Sequence, residues 1–362
     1  MFYYFLYPLR DEWILFNLFR YITFRSVGAS ITAFLVCLIL GPAVTRWLMT
    51  LSAVGSTERD YAQKIHHLYK DKKSVPTMGG ILIIMGIVAA SFFWGNLSNR
   101  LLLISVATLV WFGMIGFVDD YLKVKRRSSR GLRSLAKLSG QVAWGVALGW
   151  YLYRDPGFNG TLYLPFFKNT VIYLGIFYIP FVILVLTGSS NALNLTDGLD
   201  GLAIGCLIFA AGAFSIISYA SGHVVFANYL QIPFFAESGE LTVFCSAMVG
   251  AGAGFLWYNA YPATIFMGDT GSLSLGGALG AVAVCIKKEL VLLIVGGIFV
   301  WEALSVMIQV ASFKLRGKRV FLMSPFHHHL QLKGWPESKV AIRFWIIAFV
   351  LALVGLSTLK IR

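Results

Sequence analysis

Charge is scarce in this sequence. Only 13% of its 362 residues are charged, 58% are hydrophobic and the mean hydropathy is +0.75, a balance that excludes a soluble globular domain of this length. No polar stretch between the apolar runs is long enough to fold as a separate soluble unit, so a single membrane domain over 1–362 is expected. Cysteine is scarce too. Cys37, Cys206, Cys245 and Cys285 all lie inside apolar runs, with no CxxC pair and no His-linked spacing, which removes zinc-ribbon and disulfide frameworks. There is no internal repeat and no low-complexity segment. The opening MFYYFLYPLRDEWILFNLFRYITF has acids, arginines and many aromatics but no basic start followed by a small-residue cleavage site. It is therefore expected to remain as an aromatic interfacial segment over 1–21 rather than to be a cleaved signal peptide.

Long apolar runs are abundant. A helix needs about 20 apolar residues to cross the hydrocarbon, and breaks at charged or Gly/Pro positions predict an all-α, polytopic protein with about ten spans. These fall at roughly 22–47, 78–95, 101–118, 135–153, 170–187, 199–220, 240–258, 271–286, 289–313 and 340–358. The net charge of +14 reads as cations marking cytoplasmic loops rather than as a nucleic-acid footprint. The loops after the first, third and ninth spans, with their flanks, hold 20 of the 30 Lys and Arg residues. That places the ends of odd spans in the cytoplasm and both termini on the periplasmic side.

Every unusual polar cluster then follows an odd span: KDKKSVPTMGG, DDYLK, GSSNALNLTDGLDG, YNAYPATIFMGDTGS and SPFHHHLQLKGW. They lie in cytoplasmic loops expected at about 48–77, 119–134, 188–198, 259–270 and 314–339. Unrelated loops would scatter between the two faces, so one shared site at the inner surface is the economical reading.

Acids at a membrane boundary are costly and are retained for a partner. Asp119 and Asp120 stand at i,i+4 and i,i+3 from Lys123, which by itself describes a salt bridge at the membrane edge. GSSNALNLTDGLDG has no cation for its acids, and Asn191, Asn194, Asp197 and Asp200 recur every three residues, which would put a polar stripe on one helical face. Gly188, Gly198 and Gly201 permit tight turns or close approach. In GDTGS, Gly268 and Asp269 precede the eighth span, where exposed N–H groups at a helix start receive anions. Carboxylates beside phosphate-friendly loops suit Mg²⁺. The run His327, His328, His329 lacks the i,i+4 spacing of zinc proteases and fits phosphate contacts, sugar contacts or loop structure. His66 and His67 sit in a basic loop and are expected to be solvated. Together these features predict Mg²⁺-assisted phosphoryl transfer between a phosphate-bearing donor and a lipid.

TMGG, FVDDYLK, NALNLTDGLDGLA, NAYPATIFMGDTGSLSLGG and SFKLRGKRVFLMSPFHHHLQLKGWPE resemble the phospho-N-acetylmuramoyl-pentapeptide transferases. These belong to the wider polyprenyl-phosphate N-acetylhexosamine-1-phosphate transferase superfamily. The likeness covers nearly the whole chain, and the triple histidine with KGWPE points to the muramoyl branch. It implies a multi-pass protein of the bacterial inner membrane that moves phospho-MurNAc-pentapeptide from UDP-MurNAc-pentapeptide to undecaprenyl phosphate, giving lipid I and UMP. It implies Asp269 as principal Mg²⁺ ligand, Asp119 and Asp120 as the essential pair, and Asp119 as the candidate for activating the lipid phosphate. Donor contacts would come from Lys72, Asp197, Asp200, Asn259 and Phe266, with Phe266 stacking on uracil. Lys123 and Lys137 would meet diphosphate, and His327 and His328 would reach substrate. A homodimer in the lipid bilayer is also implied. The rivals are a relative using another UDP-N-acetylhexosamine, which the histidine loop argues against, and an ion-coupled transporter. A transporter predicts acids near the midplane of broken spans rather than at one surface.

Overall fold

A computed structural model describes residues 1–51, 75–126, 128, 131–158, 160–167 and 171–360. Lys72, His66 and His67 lie outside these residues. The chain opens with a short helix, α1 (Phe2–Phe5), and two tight helical turns. The long elements α2 (Ile22–Thr50), α3 (Gly80–Trp94), α4 (Arg100–Arg126), α5 (Ser134–Arg154), α6 (Tyr178–Thr196) and α7 (Leu202–Gly222) follow. After α8 (Val224–Leu230) come α9 (Gly239–Asn259), α10 (Gly268–Cys285), α11 (Glu289–Val295), α12 (Gly297–Arg316), α13 (Phe326–Leu332) and α14 (Glu337–Ser357). Among the described residues, seven helices are long and apolar enough to cross a membrane, so this is a polytopic helical membrane protein.

Three expected spans depart from that measure for different reasons. The first, α3, is apolar but has 15 residues, about 22 Å of helix. The second, α5, carries Lys137, Gln141 and Arg154. The third, α10, is rich in glycine, serine and alanine and is buried continuously from Thr270 to Cys285. A helix enclosed by protein has no lipid to face and gains more from close approach than from greasy bulk. Small residues permit that approach: α10 packs against α4, α6 and α3, and a side chain at Gly116 of α4 would collide with the Asp269 carbonyl.

Several boundaries differ from the sequence expectation. The run 170–187 divides, because Val171–Tyr173 is a strand (β2) pairing antiparallel with Thr161–Tyr163 (β1), and α6 begins only at Tyr178. The run 289–313 breaks at Gly296 into α11 and α12. Four segments expected as loop are partly helical: α4 continues to Arg126, α6 to Thr196, α10 starts at Gly268, and the histidines lie on α13.

The ends of the bundle differ in chemistry. At the end where α3 finishes and α9 begins, Arg25 pairs with Glu240 at 2.6 and 2.8 Å, and Glu240 also accepts the Asn96 N–H at 3.0 Å. The amino terminus docks here through the Phe92 carbonyl, with Phe2 and Phe19 stacked among Phe93 and Trp94. Lys360, just after α14, donates to the Tyr229 carbonyl of α8. Both described chain ends thus sit at the end remote from where α4 finishes and α10 starts. Glu240→Ala would leave a buried guanidinium unpaired. We expect a loss of about 3–5 kcal/mol, read as a lower unfolding midpoint in detergent with unchanged kinetic constants for the folded fraction. An unchanged midpoint would show the pair to be dispensable.

Candidate functional site

Helix α4 runs without interruption through Asp119, Asp120 and Lys123. Its cationic last turn, Lys123, Lys125 and Arg126, suits the negative end of the helix dipole. Lys123 Nζ lies 2.6 Å from Asp119 Oδ2, as the i,i+4 spacing expects, but also 3.6 Å from Asp120 Oδ1 and 3.1 Å from Asp269 Oδ2. Lys137, in the first turn of α5, reaches the same place, 2.5 Å from Asp269 Oδ2 and 3.3 Å from Asp119 Oδ2. The membrane-edge salt bridge is real and is one edge of a larger cluster.

Each carboxyl group is held by one oxygen and turned inward by the other. Asp119 Oδ1 accepts the Leu132 N–H at 2.8 Å. Asp120 Oδ2 accepts from both the N–H and the hydroxyl of Thr270, at 2.9 and 2.8 Å. Asp269 Oδ1 accepts from Asn194 Nδ2 at 2.9 Å, and the same amide also donates to Ser272 Oγ at 2.7 Å. The remaining oxygens converge on the two lysine amines. One ligand atom from each of Asp119, Asp120 and Asp269 lies within 4.8 Å of the others. Three carboxylates against two ammonium groups leave one negative charge in excess.

The turn that makes this possible is glycine-dependent. Gly268 has φ +72°, and a side chain there would come within 2.7 Å of Asp120 Oδ2. Gly79 and Gly80 donate to the carbonyls of Phe266 and Met267 at 2.8 and 2.9 Å, while Phe266 N–H donates to Pro76. The TMGG segment is thereby laced to the GDTGS segment.

The polar stripe of α6 is real for one turn and then divides. Asn191 donates to Gln141 Oε1 and to the Thr187 carbonyl. Asn194 reaches Asp269. Asp197 is half-buried at the C-terminal cap of α6, and Asp200 lies beyond it in the turn before α7. Asp200 Oδ2 accepts the Ala263 N–H at 3.0 Å, and its own N–H donates to Glu337. Asn259 bridges the Gly201 N–H and the Ile265 carbonyl. Asp200 and Asn259 therefore brace the loop that presents half-buried Phe266. A cavity of about 240 Å³ adjoins Lys137, lined by Leu132, Ser134, Leu138, Gln141 and Asn191.

The three histidines point three ways. His327 is fully buried against Glu302 and Gly198; His328 is buried and pairs with Gln331 at 2.9 Å; His329 accepts the Leu322 N–H at 3.1 Å. Burial and the charge of Lys333 hold the His329 imidazole below its ordinary pKa. Among the described residues, the five clusters are joined in a chain: TMGG to the GDTGS turn, DDYLK and Asn194 to the same turn, and His327 to Gly198. Sequence reasoning missed Thr270, Gln141, Ser272 and Glu302. Thr270 stands inside the quoted GDTGS, but nothing in the motif says that its hydroxyl serves a helix 150 residues earlier.

Residues 101–287 match the model of glycosyl transferase family 4. Full-length relatives include the phospho-N-acetylmuramoyl-pentapeptide-transferases of Pelobacter propionicus, 53% identical, Geobacter sp., 52%, and Desulfotalea psychrophila, 49%, each covering all of both chains. At this identity and coverage, the chain belongs to the phospho-N-acetylmuramoyl-pentapeptide-transferase family.

Proposed function

We propose that the protein transfers phospho-MurNAc-pentapeptide from UDP-MurNAc-pentapeptide to undecaprenyl phosphate, forming lipid I and UMP. The observation that carries this beyond family membership is the convergence of Asp119, Asp120 and Asp269 on Lys123 and Lys137 at the end of the bundle where α4 finishes and α5 and α10 start. By the distribution of Lys and Arg, that end is cytoplasmic in a bacterial inner membrane, with ten passes and both termini outside. The ten passes count α11 and α12 as one, together with α2, α3, α4, α5, α6, α7, α9, α10 and α14.

An oxygen of the lipid phosphate attacks the phosphorus attached to the sugar; the bond to the uridine-side phosphate breaks and UMP leaves with that electron pair. A phosphate monoester has a second pKa of about 6, so the acceptor arrives largely ionised and needs alignment more than a base. The lysines screen repulsion between two anions, and Asn194 and Thr270 keep the carboxyl groups from turning away. The donor set fits Mg²⁺: three oxygens, each fixed by its partner oxygen's hydrogen bonds, face a common point now lined by ammonium groups. Asp269, with Asp119 and Asp120 nearby, would hold the ion, which when bound neutralises phosphate charge and orients the diphosphate. Asp119 as an activating base is the alternative role for that residue. The cavity beside Lys137 suits the acceptor phosphate, and the braced loop offers Phe266 to uracil. His328, His329 and Lys72 would contact the donor, whereas His327, expected to reach substrate but wholly buried against Glu302, would act through its packing. A homodimer is retained from the family likeness.

The direct test is UMP release by purified protein from UDP-MurNAc-pentapeptide with undecaprenyl phosphate, with and without Mg²⁺, against UDP-N-acetylglucosamine as donor. Release from the second donor alone would overturn the muramoyl assignment. Phe266→Ala should raise the donor KM about tenfold, a stacking contact of about 1–3 kcal/mol, with little change in kcat. A change confined to kcat would refute stacking.

A further inference from the structure

Glu302 lies in α12 with its side chain wholly buried, and among the described residues its one titratable ion-pair neighbour is His327, also wholly buried. Its Oε1 accepts the His327 backbone N–H at 3.2 Å, and its Oε2 lies 3.2 Å from His327 Nδ1. Among the described residues, neither Oε2 nor either ring nitrogen of His327 has a hydrogen-bond partner, so the Oε2–Nδ1 approach is a close contact and the backbone bond to Oε1 is the one hydrogen bond between the two residues. Such a group inside a membrane protein is expensive and is kept for a purpose. The far edge of the imidazole, Nε2, packs on Gly198 so closely that a Cβ there would collide with it. Gly198 follows Asp197, the C-terminal cap of α6, one turn beyond Asn194, whose amide holds Asp269.

We propose that Glu302 is a positioning residue for the transfer reaction: by fixing His327 against Gly198, it seats the C-terminal turn of α6 and thus the Asn194 contact to Asp269. The proposal rests on the transferase reading above. Gly198 then needs no side chain because the ring itself fills the space.

Glu302→Gln keeps the volume and the acceptor for the His327 N–H while removing the carboxylate. We expect about a tenfold fall in kcat with donor KM little changed. The ¹⁵N imidazole resonances of His327, assigned by their absence in His327→Gln, should move in Glu302→Gln as the ring shifts against Gly198. Gly198→Ala should lower kcat by displacing the ring, and the double variant should be no slower than the worse single one. A purely structural Glu302 would lower only the yield and unfolding midpoint, leaving kcat of the folded fraction and the resonance unmoved, and that result overturns the proposal. So does a kcat loss without any change at His327, or the reverse. A parent protein that releases no UMP sinks the transferase reading first; a working parent with an equally active Glu302→Gln sinks this proposal alone.

Discussion

Asp269→Asn should abolish UMP release, by about a thousandfold or more, while the protein still folds and inserts. The size follows from position. Asp269 Oδ2 is shared by Lys123 and Lys137, and Oδ1 by Asn194, so the residue organises both cations and faces α6. Asparagine keeps the shape and can hold one of these partners, but its neutral amide leaves the lysines with less charge to align against and offers no charged oxygen to a divalent ion. Interactions of this kind act on the transferring phosphate group, where positioning and charge neutralisation supply most of the catalysis. The fold should survive because Asp269 stands in the first turn of α10, ahead of the continuous packing from Thr270 to Cys285. Asp119→Asn should behave likewise, since its Oδ1 can still accept the Leu132 N–H. The readouts are UMP release and the unfolding midpoint measured on the same preparation. Near-normal turnover in either variant would refute the assignment of the site.

How far the sequence reached can be judged residue by residue. Local spacing carried the Asp119 and Lys123 pair, because a helix fixes i,i+4 neighbours whatever surrounds it. Cation counts grouped the polar clusters on one face because sidedness is a property of whole loops. The start of α6 was illegible: an apolar run such as 171–187 has no period that separates a short strand from a buried helix, and β2 exists only because β1 lies opposite. The spacing of Asn191 and Asn194 suggested one helical face, but that α6 itself runs through them to Thr196 was not legible. Asparagine is a weak helix former, and its amides are accommodated there by Gln141 and Asp269, which lie at least 50 residues away in sequence. Asp200 and Asn259, implied as donor contacts, also hold backbone groups of the loop that carries Phe266, a bracing that only the folded loop displays. Glu302 carried no signal, since its partner is 25 residues away across a turn.

Gly116→Val should damage fold and chemistry together, which separates it from the aspartate variants. Gly116 faces the start of α10, where any Cβ would strike the Asp269 carbonyl and the neighbouring Thr270 nitrogen. The two backbones cannot both stay where they are. Overpacking a close-packed contact costs about 1–3 kcal/mol and occasionally more, and here the flexible end of a side chain is not available to yield. Moving α10 outward also lengthens the pair of bonds from Thr270 to Asp120 and takes Asp269 from Asp119, so the inward oxygens no longer share a point. We expect a clear drop in unfolding midpoint in detergent and loss of turnover in whatever protein remains folded. Gly116→Ala should give the same pair of effects at smaller amplitude, because even one carbon exceeds the space. If Gly116→Val kept full turnover, the close approach of α4 and α10 would not be what aligns the carboxyl groups. The geometry would then have to be held by the Thr270 bonds alone.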